Sequence, residues 1–463
     1  MATHPQSVTG SPGESLRSKC ALVVGLGKSG LAAARLLAQA GAHVHINDKK
    51  TESELAQLAI DASALGVKLH LGGHPDALFE SADLIVLSPG VPVLPVVEKA
   101  RARGAKVISE VELASYFITS PIVGITGTNG KSTVTTLIGE MLTATGKPTF
   151  TGGNLGDALT LCVGSEASKH GHVVAELSSF QLEDIETMRC AVAVLLNVTD
   201  DHLDRHGTFA AYAAAKGRIF ANQASDDHAI VPEGDALCLS IARAGAGTLH
   251  TYGGEKGEVR VEGGAIVDTV SGLRVPTSEL GIRGLHNQAN ACAAALAARL
   301  AGAPRDVIAA ILRSFRGLPH RMVHIRELNG VVYFNDSKAT NVGATVAALD
   351  GLKDLPGKVV LIAGGLDKGG SYAPIRERME ARGRGLVLIG QATPIIQEAF
   401  AASTVPVVLA SSMDDAVNQA RALAQRGDAV LLAPACASMD MFRNYAHRGD
   451  EFARATRALG ATP

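Results

Sequence analysis

The chain has 463 residues, enough for about two to four domains, and an apolar content of 46% is sufficient for full-sized cores. Its 43 Lys and Arg stand against 45 Asp and Glu, which excludes a global basic field for nucleic acid but not a local anion site. The cysteines, Cys20, Cys162, Cys190, Cys238, Cys292 and Cys436, form no CxxC pair and read as buried thiols in a reducing compartment. Residues 1–18 are polar and lack the apolar core of about 7–15 residues that a secretory signal needs, and no apolar run approaches the roughly 18 residues needed to span a membrane. The expectation is a cytoplasmic protein with a flexible tail over residues 1–20.

The first domain is expected over residues 21–109. Ala21–Val24 reads as a strand, Leu31–Ala40 as a helix and His43–Asn47 as a second strand. Between the first two lies Gly25-Leu26-Gly27-Lys28-Ser29-Gly30, a GxGxxG turn, and Asp48 follows the second strand. Such a βαβ unit binds a pyrophosphate at its helix N-terminus. An NAD site, a purely structural turn and a uridine diphosphate sugar site all fit this pattern. Leu84–Leu87 is a further strand closed by Ser88-Pro89-Gly90, and Lys106–Ser109 ends the domain.

The second domain is expected over residues 110–317. A buried strand, Ile122–Ile125, runs into Thr126-Gly127-Thr128-Asn129-Gly130-Lys131-Ser132-Thr133 and then a helix to Thr145. Strand, glycine-rich turn, lysine, hydroxyls and helix are the parts of a phosphate-binding P-loop. Glycines let backbone N–H groups wrap an anion, Lys131 reaches terminal phosphates, and Ser132 or Thr133 offers a hydroxyl to magnesium. Ile125 stands where the usual pattern has its first glycine. The Lys131 side chain is expected to face solvent. Further along come Asn154 in a Gly-rich loop, then Glu176 and Ser178 at the end of the strand Val173–Leu177. Glu176 fits either a magnesium ligand or a salt-bridged rim carboxylate. The strand Ala193–Leu196 ends in a polar run, Asn197 to Asp204, that includes His202. Taken alone, Lys216, on a probable helix Phe209–Phe220, reads as a solvated helix lysine. Asn287 and Asn290 are one turn apart at the expected start of the helix Ala291–Ala301, where they could cap it or contact a base.

The third domain is expected over residues 318–463. Strands at Val331–Phe334, Val359–Ala363, Leu386–Ile389, Val407–Leu409 and Val430–Leu432 alternate with helical stretches, the pattern of a second doubly wound unit. The fold class is therefore α/β with three domains: an N-terminal Rossmann-like domain, a central P-loop ATPase domain and a C-terminal Rossmann-like domain.

The Thr126–Thr133 loop resembles the nucleotide loop of the Mur ligases, the ATP-dependent amide ligases of peptidoglycan synthesis. Folylpolyglutamate synthetase belongs to the same superfamily, but its substrate would not need the first domain. Leu318-Pro319-His320-Arg321, Asn335-Asp336-Ser337-Lys338-Ala339-Thr340-Asn341, Gly364-Gly365-Leu366-Asp367-Lys368-Gly369 and Ala435-Cys436-Ala437-Ser438-Met439-Asp440-Met441-Phe442-Arg443-Asn444-Tyr445 follow in order. Together they resemble the D-glutamate-adding branch of that family from about Ala21 to Ala458. Met439, Met441 and Tyr445 depart slightly from its pattern.

The resemblance implies ATP and magnesium, with two ions, as cofactors, and UDP-N-acetylmuramoyl-L-alanine and D-glutamate as substrates of a monomer. It implies that Gly127, Thr128, Asn129, Gly130, Lys131, Ser132, Thr133, Asn287, Asn290, Arg321 and Asp336 bind ATP. Gly27, Lys28, Ser29, Asp48, Asn154, Ser178 and His202 would face the UDP-sugar. Thr340, Lys368, Ser438 and Tyr445 would hold D-glutamate. Ser132, Glu176, His202 and a carbamylated Lys216 would hold metal, and Lys131, His202, Lys216 and Arg321 would carry the catalysis.

Overall fold

The computed structural model describes residues 14–460, apart from 283 and 354. Most of the expected tail, residues 1–13, lies outside the described residues. Glu14–Leu16 forms a 3₁₀ turn, and Leu16, 5% exposed, packs into the first core, so residues 14–20 are ordered rather than tail. The chain divides into two compact units. One holds residues 14–198, 213–279 and 289–313; the other holds 199–212, 280–288 and 314–460.

In the first unit, β1 (Cys20–Val24), β2 (His43–Asp48), β3 (Lys68–Leu71), β4 (Leu84–Leu87) and β5 (Lys106–Ser109) form a sheet of order β3-β2-β1-β4-β5, parallel throughout. Helices cover both faces, which is why β1 and β4 are continuous apolar runs. The helix Lys28–Gln39 lies on the sheet through Ala33, Ala34 and Leu37. It starts three residues before the expected Leu31, so the GxGxxG turn is partly helix. A Cβ on Gly30 would overlap the Gly25 carbonyl oxygen, so only glycine allows this approach.

A second sheet in the same unit contains β6 (Ile122–Thr126), β7 (Thr149–Gly153), β8 (His172–Glu176), β9 (Val192–Leu195), β10 (His228–Pro232), β11 (Thr248–Tyr252), β12 (Val259–Glu262), β13 (Ala265–Asp268) and β14 (Arg274–Pro276). Its order is β14-β13-β12-β11-β10-β9-β6-β8-β7, parallel except for the β12–β13–β14 end. Two buried carboxylates join it to the first sheet. Glu110 Oε1 accepts the Thr160 N–H at 2.6 Å, and burial pushes its carboxyl up. Glu112 accepts the N–H and hydroxyl of Thr187 and the N–H of Met188.

The second unit is built on β15 (Val323–Leu328), β16 (Val331–Asn335), β17 (Val359–Gly364), β18 (Gly383–Ile389), β19 (Val407–Leu409) and β20 (Ala429–Leu432), in the order β15-β16-β20-β17-β18-β19. All neighbours are parallel except the hairpin β15–β16. Its turn is Asn329-Gly330, with φ of 54° and 77°, the left-handed pair that a two-residue hairpin requires. The first strand of this hairpin was not among the sequence expectations, although Asn-Gly between apolar runs is its signal. Apolar clusters fill both faces of the sheet.

Candidate active site

The phosphate loop leaves the C-terminal end of β6, where ligands bind in open α/β sheets. Gly130 caps the helix Lys131–Thr143 at φ 88°, and a Cβ there would lie 2.5 Å from Asn290 Oδ1. Glycine is therefore needed twice over, for conformation and for space. Lys131 Nζ folds back onto the carbonyls of Gly127 (2.7 Å) and Thr128 (2.9 Å), so it is half-buried rather than facing solvent as expected. Asn197, just past β9, takes the Thr128 N–H on its main-chain carbonyl and pairs with Asn129 through its side chain.

Lys216 departs from its solvated reading. It is 1% exposed, and its Nζ donates to the Gly127 carbonyl at 2.8 Å. The helix Phe209–Gly217 looked like an exposed alanine-rich helix because the partner that buries its lysine lies 89 residues away. Glu176 closes β8 directly beside Ile125 of β6 and is 2% exposed. Its Oε1 accepts from Asn154 Nδ2 at 2.7 Å, and Oε2, like Thr133 Oγ1, is buried without a hydrogen-bond partner among the described residues. A buried carboxylate oxygen without a donor is what a hard cation or its water would satisfy. Among the described residues no group of three His, Cys, Asp or Glu side chains is arranged to hold a metal. A cation here would rely on Glu176, the Ser132 hydroxyl and a ligand's own phosphates, the habit of magnesium.

Other expected residues serve local structure as well. Ser178 forms a capping box with Gln181 at the helix Ser179–Glu183. Asp48 accepts the Leu26 N–H at 2.7 Å and the Lys50 N–H at 2.9 Å, so it pins the glycine turn containing Gly27, which caps the helix opened by Lys28 and Ser29. Asn287 and Asn290, each 8% exposed, lie inside the helix Leu285–Leu300 and not ahead of it, so neither caps its start.

In the second unit Asp336 and Thr340, Lys368 and Ser438 sit on loops leaving the C-terminal ends of β16, β17 and β20, and Arg321 lies just ahead of β15. Arg321 is flanked by two non-glycine residues in left-handed conformation, His320 (φ 59°) and Met322 (φ 49°), and its Nε is buried without a partner among the described residues. Such strain persists where the surrounding structure fixes a side chain. Asp336 is 6% exposed; burial pushes its carboxyl up to about 6, against the pull of Arg321 and of the Met322 N–H. Burial and Arg321 hold the His286 imidazole below its ordinary range.

Lys368 Nζ lies 3.4 Å from Asp201 Oδ1, and Asn341 Nδ2 donates to Asp201 Oδ2 at 2.9 Å. These three line a small cavity with Asp200, Tyr372 and Ala435. His202 follows at φ 52°, its Nε2 3.7 Å from Asp201 Oδ2. Thr340 is half-buried and Ser438 is 4% exposed. Tyr445 opens the helix Tyr445–Ala458 with Lys338 Nζ 4.0 Å from its ring centre.

Arg448, not singled out in the sequence, is fully buried. It donates to Ser337 Oγ and to the carbonyls of Ser337, Cys436 and Ala437, tying two of these loops to the last helix. Burial pulls its guanidinium down to about 10.

A parallel sheet carrying this loop, in one chain with two Rossmann-like sheets, defines a P-loop nucleotide-binding protein. Comparison with known proteins sharpens the class. Residues 125–298 match the family described as Mur ligase middle domain, 19–109 the Mur ligase MurD-like N-terminal domain, and 320–436 the Mur ligase glutamate ligase domain. A protein of Geobacter sp. (strain M21), named UDP-N-acetylmuramoylalanine–D-glutamate ligase, is 44% identical over 449 residues, 96% of this chain and 98% of its own. One of the same name from Solibacter usitatus is 45% identical over 448 residues, 95% and 98% of the two chains. The crystal structure of UDP-N-acetylmuramate-alanine ligase from Thermotoga maritima shares the fold at TM-score 0.60 and 17% identity, covering 95% of this chain and 99% of that one. The chain belongs to the Mur ligase family, within its UDP-N-acetylmuramoylalanine–D-glutamate ligase branch, and is an enzyme of the ligase class. Among the described residues no helix is long and apolar enough to cross a membrane.

Proposed function

We propose that this enzyme uses ATP to join D-glutamate to UDP-N-acetylmuramoyl-L-alanine in the cytoplasm. The observation that carries the reading is the glycine loop of β6 with Lys131 folded over it and the half-satisfied Glu176 beside it, in a chain 44% identical to ligases of that name. A carboxylate is a poor electrophile, so the L-alanyl carboxylate first takes the γ-phosphoryl group and ADP leaves. The D-glutamate amine then attacks the acyl phosphate, and the tetrahedral intermediate releases phosphate to leave the amide. The protein's work is positioning and charge neutralisation.

Lys131 neutralises the terminal phosphates, and the N–H groups that open its helix face them. Ser132 and Glu176 would hold magnesium, and His202 and a carbamylated Lys216 would serve a second ion. When bound, magnesium neutralises phosphate charge. Supporting this reading, Lys216 is buried with its Nζ on the Gly127 carbonyl of the phosphate loop, a placement in which conversion to an anion would change the field at the loop. Arg321 meets the γ-phosphate and Asp336 the ribose. Asn287 and Asn290 stand at the nucleotide. Gly27, Lys28, Ser29 and the Asp48-pinned turn receive the UDP pyrophosphate, with Asn154 and Ser178 on the sugar side. Lys368, Thr340, Ser438 and Tyr445 grip the D-glutamate.

The test is a coupled ADP-release assay over a panel of UDP-muramoyl acceptors and amino acids. Sustained ADP release, beyond a single turnover, should require UDP-N-acetylmuramoyl-L-alanine and D-glutamate together. Equal release with L-glutamate, or with another acceptor, would overturn the assignment.

A further inference from the structure

The phosphate loop is held by one residue of the neighbouring strand's exit. The Asn197 carbonyl accepts the Thr128 N–H at 2.9 Å. Its Oδ1 accepts the Asn129 N–H at 2.9 Å, and its Nδ2 donates to the Asn129 carbonyl at 3.0 Å. The side-chain amide thus pairs with Asn129 on both sides, as the peptide of an adjacent strand would. It does so beyond Leu195, where β9 ends, and so extends the sheet's pairing into the loop.

Two consequences follow for anion binding. The Thr128 and Asn129 N–H groups are directed toward Asn197. The helix opening presents a row of N–H groups to an anion: Lys131, Ser132 and Thr133 precede Val134, whose N–H makes the helical bond to the Gly130 carbonyl. Fixing Asn129 also fixes Gly130, which has the left-handed φ that turns the chain into the helix and sits against Asn290.

Resting on the reading of this loop as the ATP site, we propose that Asn197 is a positioning residue for the nucleotide. Its amide sets the curvature of the loop and aims the N-terminus of the helix Lys131–Thr143 at the β- and γ-phosphates. Asn197 is half-buried, so its replacement leaves no large cavity.

The experiment titrates magnesium-ATP alone into the full chain by calorimetry, then measures initial rates while each of the three substrates is varied. N197A removes both arms of the amide. It should bind ATP about tenfold more weakly, the scale of one to two lost hydrogen bonds. KM for ATP should rise by the same factor, while KM for the UDP-sugar and for D-glutamate stays within about twofold. N197D is isosteric but cannot donate to the Asn129 carbonyl and adds a charge that repels triphosphate, so it should bind no better than N197A. ATP binding of either variant at wild-type strength overturns the proposal. So does an equal rise in all three KM values, which marks general loosening. If the wild-type protein itself binds no ATP, the reading of the loop fails and not the part given to Asn197 within it.

Discussion

Asp336→Asn removes a charge that the fold holds against its own preference. The carboxyl titrates near about 6 instead of its ordinary 3.8, because burial outweighs the attraction of Arg321 and the Met322 N–H. A carboxyl whose folded pKa lies above its unfolded one binds more protons in the native state between those two values. Stability therefore falls as pH rises from about 3.8 to about 6, and stays reduced above it. That interval corresponds to about 3 kcal/mol at neutral pH. Asparagine keeps an oxygen for the Met322 N–H and carries no charge. At pH 7.5 the variant should melt above the wild type by about 6–12 °C, the shift expected for about 3 kcal/mol in a unit of this size. Near pH 4 the two curves should nearly meet, because the wild-type carboxyl is then largely protonated. Scanning calorimetry from pH 4 to 8 decides the matter. A melting difference independent of pH, or a less stable variant at pH 7.5, would refute the reasoning. Loss of turnover in the same variant would show why a destabilising charge is retained.

Three further outcomes are expected. Lys131→Ala should abolish turnover and lower the melting temperature by only a few degrees, since its bonds to Gly127 and Thr128 are to loop carbonyls; retained turnover would remove the ATP site from this loop. Lys216→Ala should lose most activity and regain part of it with added short carboxylates, while Lys216→Arg should stay inactive; full activity in either variant would leave Lys216 a buried structural lysine. Arg448→Met should destabilise the second unit by about 2–4 kcal/mol, the loss of its bonds to backbone carbonyls being partly offset by relief of a buried charge, and a wild-type urea midpoint would contradict this.

What the sequence disclosed and what it withheld divide along a physical line. The phosphate loop was legible because its strand, glycines, lysine and helix are contiguous, and local chemistry sets their geometry. Many strands of the three sheets were legible because parallel strands buried on both faces are unbroken apolar runs, whereas β3 and β7, only partly buried, carry no such run and were missed. Lys216 was misread because alanine-rich helices are usually exposed, and nothing near it in the chain reveals the Gly127 carbonyl that receives it. Asn197 and Arg448 were not singled out because Asn129 lies 68 residues from the one and Ser337 111 residues from the other. The helix Leu285–Leu300 was placed six residues late because His286, Asn287 and Asn290 are weak helix formers and the alanine run that signals the helix begins only at Ala291. The hairpin of β15 was recoverable from Asn329-Gly330 and was overlooked.

The two glutamates that follow β5 give the amide protons of Thr160, Thr187 and Met188 an unusual status. Each of these N–H groups belongs to the second sheet's module but is held by a carboxylate from the helix that closes the first. None can reach solvent by fraying within its own module. In deuterated buffer these three amides should exchange at the rate of the whole first unit's opening, together with the core of β6, and not with the surface turns around them.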